Sequence, residues 1–497
     1  MADLFISREQ AEGDLLAAAA FVAERIRSAD GHAEAMNAVV PQYLAKGEVD
    51  LAAELANAVD DPFSRDRLLI LVAEKCAELD DVDYALQLAD AIEDHGLGLQ
   101  CRERIAGICA KKGDAERARE IAGELLHPDY VYASIAIAEA AKGGDAAATI
   151  SSIDFPAARV SAWQQIAAAA IERGESAKAV AALDSATNDA TDIEHDEERI
   201  RALCDTGNAY IEAKRSDKAI EVFDAARGDA ELLDNLHRDF FLVNCALGFL
   251  YAGSSELADR TLDLVTDKTQ MASALLGVSR DHWKKDEKDD AIETLDEAYQ
   301  ILKSQRDIET RDSRAANSLW TSIAAQFAGW GETERALNIA HENKDPNEAT
   351  ASLTQIAQIL TMQNNDEAVR EAISQIADDA DRVFAFISVA DTKATLDQRD
   401  GEVALLGEAM SMVDTVPQMV SRASILSGVA TRFNNAGEME KAREAARSCL
   451  AVIAEIRDES AQATALADLG ALYSEAGFAV GDDERAIVDR LIIKADQ

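Results

Sequence analysis

From about residue 30 onward the chain alternates between two kinds of text. Helix-length runs carry apolar side chains three and four positions apart, the spacing that gathers them on one face of an α-helix. Short polar corners separate the runs. The clearest instance is Arg201 to Gly228, RALCDTGNAYIEAKRSDKAIEVFDAARG. Leu203, Gly207 and Tyr210 share one helical face. Ala219, Phe223 and Ala226 share another, after a corner at Lys214 to Asp217. A helix pair this short cannot bury its own apolar face and needs a copy of itself on either side. A second mark repeats at Gly47-Glu48, Gly113-Asp114, Gly144-Asp145, Gly174-Glu175, Gly331-Glu332 and Gly437-Glu438. Glycine ends one helix in a left-handed residue. The acid then opens the next helix, where backbone N–H groups and the dipole favour it.

The copies vary. Trp163, Ile166, Ala167 and Ala170 precede Ala179, Leu183 and Ala186. Leu242, Cys245, Ala246 and Phe249 precede Ala258, Leu262 and Val265. Trp320, Ile323, Ala324 and Phe327 precede Ala336 and Ala340, and Leu466, Leu469, Gly470 and Tyr473 form a last first-helix. Small residues at the corners fall at Ala52, Ala85, Ala118, Thr149, Ala179, Ala219, Ala258, Ala291, Ala336, Ala368, Ala404 and Ala442, at intervals of 33, 33, 31, 30, 40, 39, 33, 45, 32, 36 and 38 residues. The pattern Leu203-x2-Thr206-Gly207-x2-Tyr210, then Ala219-x3-Phe223 and Ala226, resembles the tetratricopeptide repeat, whose period is about 34 residues. Small residues stand where two helices cross closely, and large ones where the space between pairs must be filled. The departures are Ala or Cys in place of several aromatics, and Pro62, Pro128 and Pro346 placed early, which predicts short second helices before them. The resemblance implies an all-α, right-handed solenoid, a superhelix of about 12–13 antiparallel helix pairs.

Residues 1–29 are expected to form an N-terminal capping helix, 30–480 the repeat array, and 481–497 a C-terminal capping helix. The rhythm loosens near 188–198 and 303–313, possible breaks between sub-arrays, and no Gly/Ser- or Pro-rich linker marks a boundary there.

Composition narrows the function. Hydrophobic residues make up 48% of the 497, enough for a continuous core, and the formal net charge is −44. A chain so acidic lacks the basic stripe that nucleic acid or an anionic membrane surface requires, so neither is expected as a direct partner. The acid either solvates exposed helix faces, adapts the chain to salt, or steers a basic protein partner. The six cysteines are scattered with no C-x-x-C pair, which fits free thiols packed as small hydrophobes in a reducing compartment. The first residues carry Asp3, Glu9, Glu12 and Asp14 ahead of the apolar run, unlike a signal peptide or a spanning helix. A cytoplasmic location is expected.

No phosphate loop, dinucleotide fingerprint, HExxH or G-x-S-x-G is present. His195 amid Glu194, Asp196, Glu197 and Glu198 lacks an EF-hand frame. No catalytic residue, metal or cofactor is therefore assigned, and the chain is read as non-enzymatic. In the family it resembles, first helices line a concave wall that holds a peptide. On the face away from Leu203, Gly207 and Tyr210, this points to Gln164, Arg201, Asn208, Asn244, Tyr251, Arg280 and Trp283. The expected function is a scaffold binding a partner protein or peptide. The alternatives are self-assembly into homo-oligomers through solenoid ends, for which Leu491, Ile492 and Ile493 are the one suspicious run, and a hydrolase in a helical toroid.

Overall fold

The computed structural model describes residues 4–305, 313–343 and 345–496. Among these the secondary structure is helical, with no strand. The helices are α1 (Arg8–Gly13), α2 (Leu15–Ala23), α3 (Ala29–Lys46), α4 (Val49–Asn57), α5 (Pro62–Glu78), α6 (Val82–Ala91), α7 (His95–Lys112), α8 (Ala115–Ala122), α9 (Asp129–Ala141) and α10 (Ala147–Ile150). They continue as α11 (Pro156–Glu172), α12 (Ser176–Ala190), α13 (Asp196–Glu212), α14 (Ser216–Leu232), α15 (Arg238–Tyr251), α16 (Ser255–Leu262), α17 (Lys268–Lys284), α18 (Lys288–Gln305), α19 (Ser313–Gly329) and α20 (Thr333–His341). The remainder are α21 (Pro346–Met362), α22 (Asp366–Ser374), α23 (Asp379–Thr395), α24 (Arg399–Met412), α25 (Met419–Asn435), α26 (Met439–Glu455), α27 (Glu459–Ala476) and α28 (Asp482–Ala495). From α3 to α26 they alternate as first and second helices of antiparallel pairs, the all-α solenoid architecture expected from the pattern. The segment 306–312, inside the loosened stretch near 303–313, lies outside the described residues.

The corners explain the period. A left-handed residue ends the first helix, and the next residue caps the second. Gly47, Gly113, Gly174, Gly331 and Gly437 all have positive φ. The expected mark at Gly144 moves by one: Gly143 is the left-handed residue, at φ 80°. The same position is held without glycine at Asp80, Lys214, Asp286, Asn364 and Asp397. Asp and Asn tolerate this region because their short polar side chains bond locally. Four residues past the cap, the chain meets the preceding helix, and the side chain there is buried at Ala52, Ala85, Ala118, Ala179, Ala219, Ala258, Ala336 and Ala442. Three corners differ from expectation. Ile150, Val369 and Glu402 occupy the equivalent places instead of Thr149, Ala368 and Ala404, and Ala404 is exposed. The early prolines act as expected. The second helices ahead of them, α4, α8 and α20, span 9, 8 and 9 residues. Pro62 and Pro346 open the helices that follow, where a missing N–H is harmless.

The chain divides into two compact units. The first comprises residues 1–105 and 331–497, the second residues 106–330. In the first unit, residues far apart in sequence form one repeat. The opening stretch is two helices rather than the single one expected, and every residue of α2 is buried. α2 packs on α27, α28 and α3, and α1 packs on α28. A Cβ on Gly470 of α27 would stand 2.6 Å from the backbone nitrogen of Leu16, so glycine permits a backbone-to-backbone crossing there. α2 thus takes the second-helix place beside α27. The join is fringed by charge: Lys46 bonds Asp14 at 2.9 Å, Arg25 bonds Asp496 at 2.8 Å, and the Ser460 hydroxyl donates to Glu34 at 2.7 Å. Leu491 and Ile492 are buried in this unit, and Ile493 is 46% exposed.

The second unit holds the stretch from which the pattern was read. The Phe223 ring of α14 enters between α13 and α15. A Cβ on Gly207 would lie 2.7 Å from it, and one on Gly248 would lie 2.4 Å from it. Phe249 meets the same ring edge to face at 6.1 Å. Successive pairs are also clipped by carboxylates that bond two consecutive N–H groups of a following loop. Asp129 accepts from Asp154 and Phe155, and Asp239 accepts from Thr266 and Asp267. Asp66 does the same in the first unit, accepting from Glu93 and Asp94.

Candidate functional site

First helices α13 and α15 present matching stripes. Arg201, Asp205 and Asn208 recur at helical spacing on one. Asn244, Leu247 and Tyr251 recur on the other. Together with Phe240, and with Cys204, Phe241 and Gly248 at the floor, they line a concavity of about 380 Å3. Four of the seven designated residues, Arg201, Asn208, Asn244 and Tyr251, therefore meet in one place. Asn244 is half-buried, and Arg201 and Asn208 are exposed. Tyr251 is 40% and Phe240 43% exposed, so two aromatic faces are open to a ligand.

The electrostatics are mixed. Burial raises the Asp205 carboxyl above the usual range, against the lowering influence of Arg201. Burial also raises the Tyr251 phenol, which Arg280 opposes. The Lys284 ammonium stands 5.3 Å from the Tyr251 ring, a cation–π distance. Beneath the floor, the Cys204 and Cys245 sulfurs are 3.8 Å apart, and both thiols are free. The arrangement offers amide donors and acceptors, aromatic faces and one guanidinium. It suits backbone amides and apolar side chains better than covalent chemistry.

The other three designated residues lie elsewhere. The Gln164 amide donates to the Ala202 carbonyl at 3.2 Å and the Thr206 hydroxyl at 3.0 Å, joining α11 to α13. Arg280 donates to the Gln326 side-chain oxygen at 2.6 Å. Trp283 stacks on Trp330 with ring centroids 4.5 Å apart and planes 11° from parallel. Phe240, Cys204 and Asp205 were not designated. The signal for Phe240 was the Phe240-Phe241 doublet, since one helix face cannot bury both.

The acidic residues near His195 have structural work. Asp196 pairs with Arg199, and Glu197 bonds His237 and Asn235 at the start of α13. Among the described residues, His282, Glu287 and Asp290 bring ligand atoms within 4.8 Å of one another. His282 already bonds Glu287 at 2.7 Å across the corner between α17 and α18. No helix among the described residues is long and apolar enough to cross a membrane.

No family model and no curated protein matches the chain. Several solved structures are similar to it. A protein of Thermococcus onnurineus NA1 is 16% identical with a TM-score of 0.24, covering 81% of this chain and 99% of that one. A putative kinesin light chain of Podosopora anserina with nearly identical TPR-like repeats is 13% identical with a TM-score of 0.19, covering 53% and 99%. The apo form of the quorum sensor NprR from B. thuringiensis is 9% identical with a TM-score of 0.26, covering 71% and 98%. Likenesses this distant carry no weight beside the packing of the chain itself. In its corners, its close glycine crossings and its helix pairs, the chain is an all-α helical-repeat protein.

Proposed function

We propose that the chain is a non-enzymatic scaffold that holds an extended segment of a partner protein against α13 and α15. One observation carries the reading: Arg201, Asn208, Asn244, Tyr251 and Phe240 line a single concavity on two consecutive first helices. Asparagine amides match the alternating donors and acceptors of an extended backbone. Phe240 and Tyr251 offer apolar faces to its side chains, and large aromatics carry much of the energy in such contacts. The net charge of −44 favours a partner that is basic overall, through faster encounter. Self-assembly through the Leu491 to Ile493 run has less support, because only Ile493 is exposed.

The test is capture of partners by the intact chain, repeated with the Asn208→Ala, Asn244→Ala double variant and with Phe240→Ala. A protein retained in stoichiometric amount by the parent and lost with both variants, whose helicity is unchanged, supports the reading. Retention unaffected by either variant refutes it.

A further inference from the structure

Two sulfurs meet beneath the concavity on α13 and α15. The Cys204 thiol of α13 and the Cys245 thiol of α15 lie 3.8 Å apart in a buried setting. All six cysteines are free, and among the described residues only this pair sets sulfur against sulfur. The two are 41 positions apart in sequence, so the packing of one repeat on the next brings them together. Each stands three residues ahead of a glycine that meets the Phe223 ring, Gly207 on α13 and Gly248 on α15. The sulfurs therefore sit about one helical turn from the place where that ring separates the two helices.

The two thiols are not equivalent. Cys204 lines the concavity and is 5% exposed, the highest value among the six cysteines, whereas Cys245 is wholly buried. The hydrogen-bonding contact with Cys204 first, and burial second, hold the Cys245 thiol well above its ordinary value. Thiolates are the reactive form, so Cys245 is not the sulfur that reacts first. An oxidant entering the concavity meets Cys204, and Cys245 is the sulfur beside it. A disulfide sets two sulfurs about 2 Å apart, so closing the gap takes a movement of about 1.8 Å shared between two side chains.

We propose that Cys204 and Cys245 form a peroxide-sensitive dithiol whose oxidation clamps α13 to α15. The Cys204 sulfur attacks one oxygen of hydrogen peroxide, the O–O bond breaks, and a sulfenic acid and one water result. The Cys245 sulfur then attacks the sulfenic sulfur. The S–S bond forms, the S–O bond breaks, and the thiol proton leaves with the oxygen as a second water. Two electrons pass from the thiols to the peroxide. A dithiol reductant reverses the change by exchange. The bond closes the chain between 204 and 245 into a loop and so opposes separation of the two repeats. It forms beneath the wall whatever the wall holds, so it does not depend on the function proposed for the groove.

Thiol mapping on the intact chain tests it. The folded, reduced chain is treated with hydrogen peroxide, quenched, unfolded, alkylated and digested for mass spectrometry. The expected result is loss of two hydrogens, loss of two alkylation sites, and a peptide pair joined through Cys204 and Cys245. Dithiothreitol should restore both sites. Amide hydrogen exchange over α13 to α15 should slow in the oxidised chain and recover on reduction. Cys245→Ala should stop at the sulfenic acid, trapped on Cys204 by dimedone, and Cys204→Ala should leave Cys245 unoxidised. Six alkylatable thiols after peroxide, or Cys204 driven to the sulfinic acid with Cys245 still free, overturn the proposal. So does a disulfide that leaves exchange over α13 to α15 unchanged. The mapping and the exchange use the parent chain, so they decide the matter even where a substitution prevents folding.

Discussion

Phe223 offers the sharpest check on the packing argument, because the same chemical change should have opposite effects at two glycines. Gly228 lies on the exposed side of α14, with nothing within 4 Å of a Cβ placed there. Replacing it with Ala removes a flexible residue from a helix interior, which should stabilise by about 1 kcal/mol. Gly248 also lies inside a helix, so it gains the same propensity. Its new Cβ, however, would sit 2.4 Å from the Phe223 ring, and the ring cannot retreat because Gly207 meets it on α13. Overpacking of this kind costs about 1–3 kcal/mol. The net expectation for Gly248→Ala is a loss of roughly 0–2 kcal/mol once the propensity gain is subtracted. Phe223→Leu should relieve the clash, so the double variant should lose less than the sum of the singles, by about 0.5–3 kcal/mol. An array need not unfold in two states, so urea unfolding by circular dichroism should be paired with amide hydrogen exchange over α13 to α15. If Gly248→Ala stabilises as much as Gly228→Ala, and no coupling to Phe223 is seen, the close crossing at this corner is wrong.

Other outcomes follow from the clips and the charge. Burial raises the Asp239 carboxyl, but the N–H groups of Asp267 and Thr266 outweigh it and hold the group below its ordinary 3.8. A depressed folded value means the stabilisation is complete above the ordinary Asp range and is lost as pH falls below it; Asp239→Asn should weaken the protein at pH 7 and flatten the acid limb of its stability curve. Arg199 bonds Asp229 at 2.7 Å and the Ile193 carbonyl at 2.9 Å, so Arg199→Ala should cost about 1–3 kcal/mol, read as faster exchange at the α12–α13 corner. If the acidity is an adaptation to salt, melting temperature should climb between about 0.1 M and 1 M salt, as the screening length drops from about 10 Å to 3 Å. A flat profile would leave the charge to partner steering.

The architecture was legible because the corner chemistry is local. Ala219 and its counterparts announce where two helices cross, and the early prolines announce short second helices. Glu402 was missed because a carboxylate stands where the rule expects a small residue; the corner at Lys214 was read, but a lysine carries no signal of its own that it will hold the left-handed position. α2 was read as a cap because an apolar Ala-rich helix does not state which distant helix it will join. Gly470 fitted the repeat pattern, but that a backbone, rather than an aromatic ring, fills the space beside it depends on residues far away in sequence. At the candidate site, Arg201, Asn208, Asn244 and Tyr251, singled out by helical spacing, line one concavity. Gln164 obeyed the same spacing, yet its amide found Thr206 on the next helix, a partner that no periodicity in its own helix reveals.

The pairing of α2 with α27 also sets a timetable for synthesis. Glu34 and Ser460, which bond across the join, are 426 positions apart. At about 5–20 residues per second, roughly 20–85 s pass between the emergence of one and the other. Throughout that interval a wholly apolar helix waits on the growing chain without α27 to pack against. α2 is thus made long before it can reach its place, and neighbouring ribosomes present the same adhesive segment nearby.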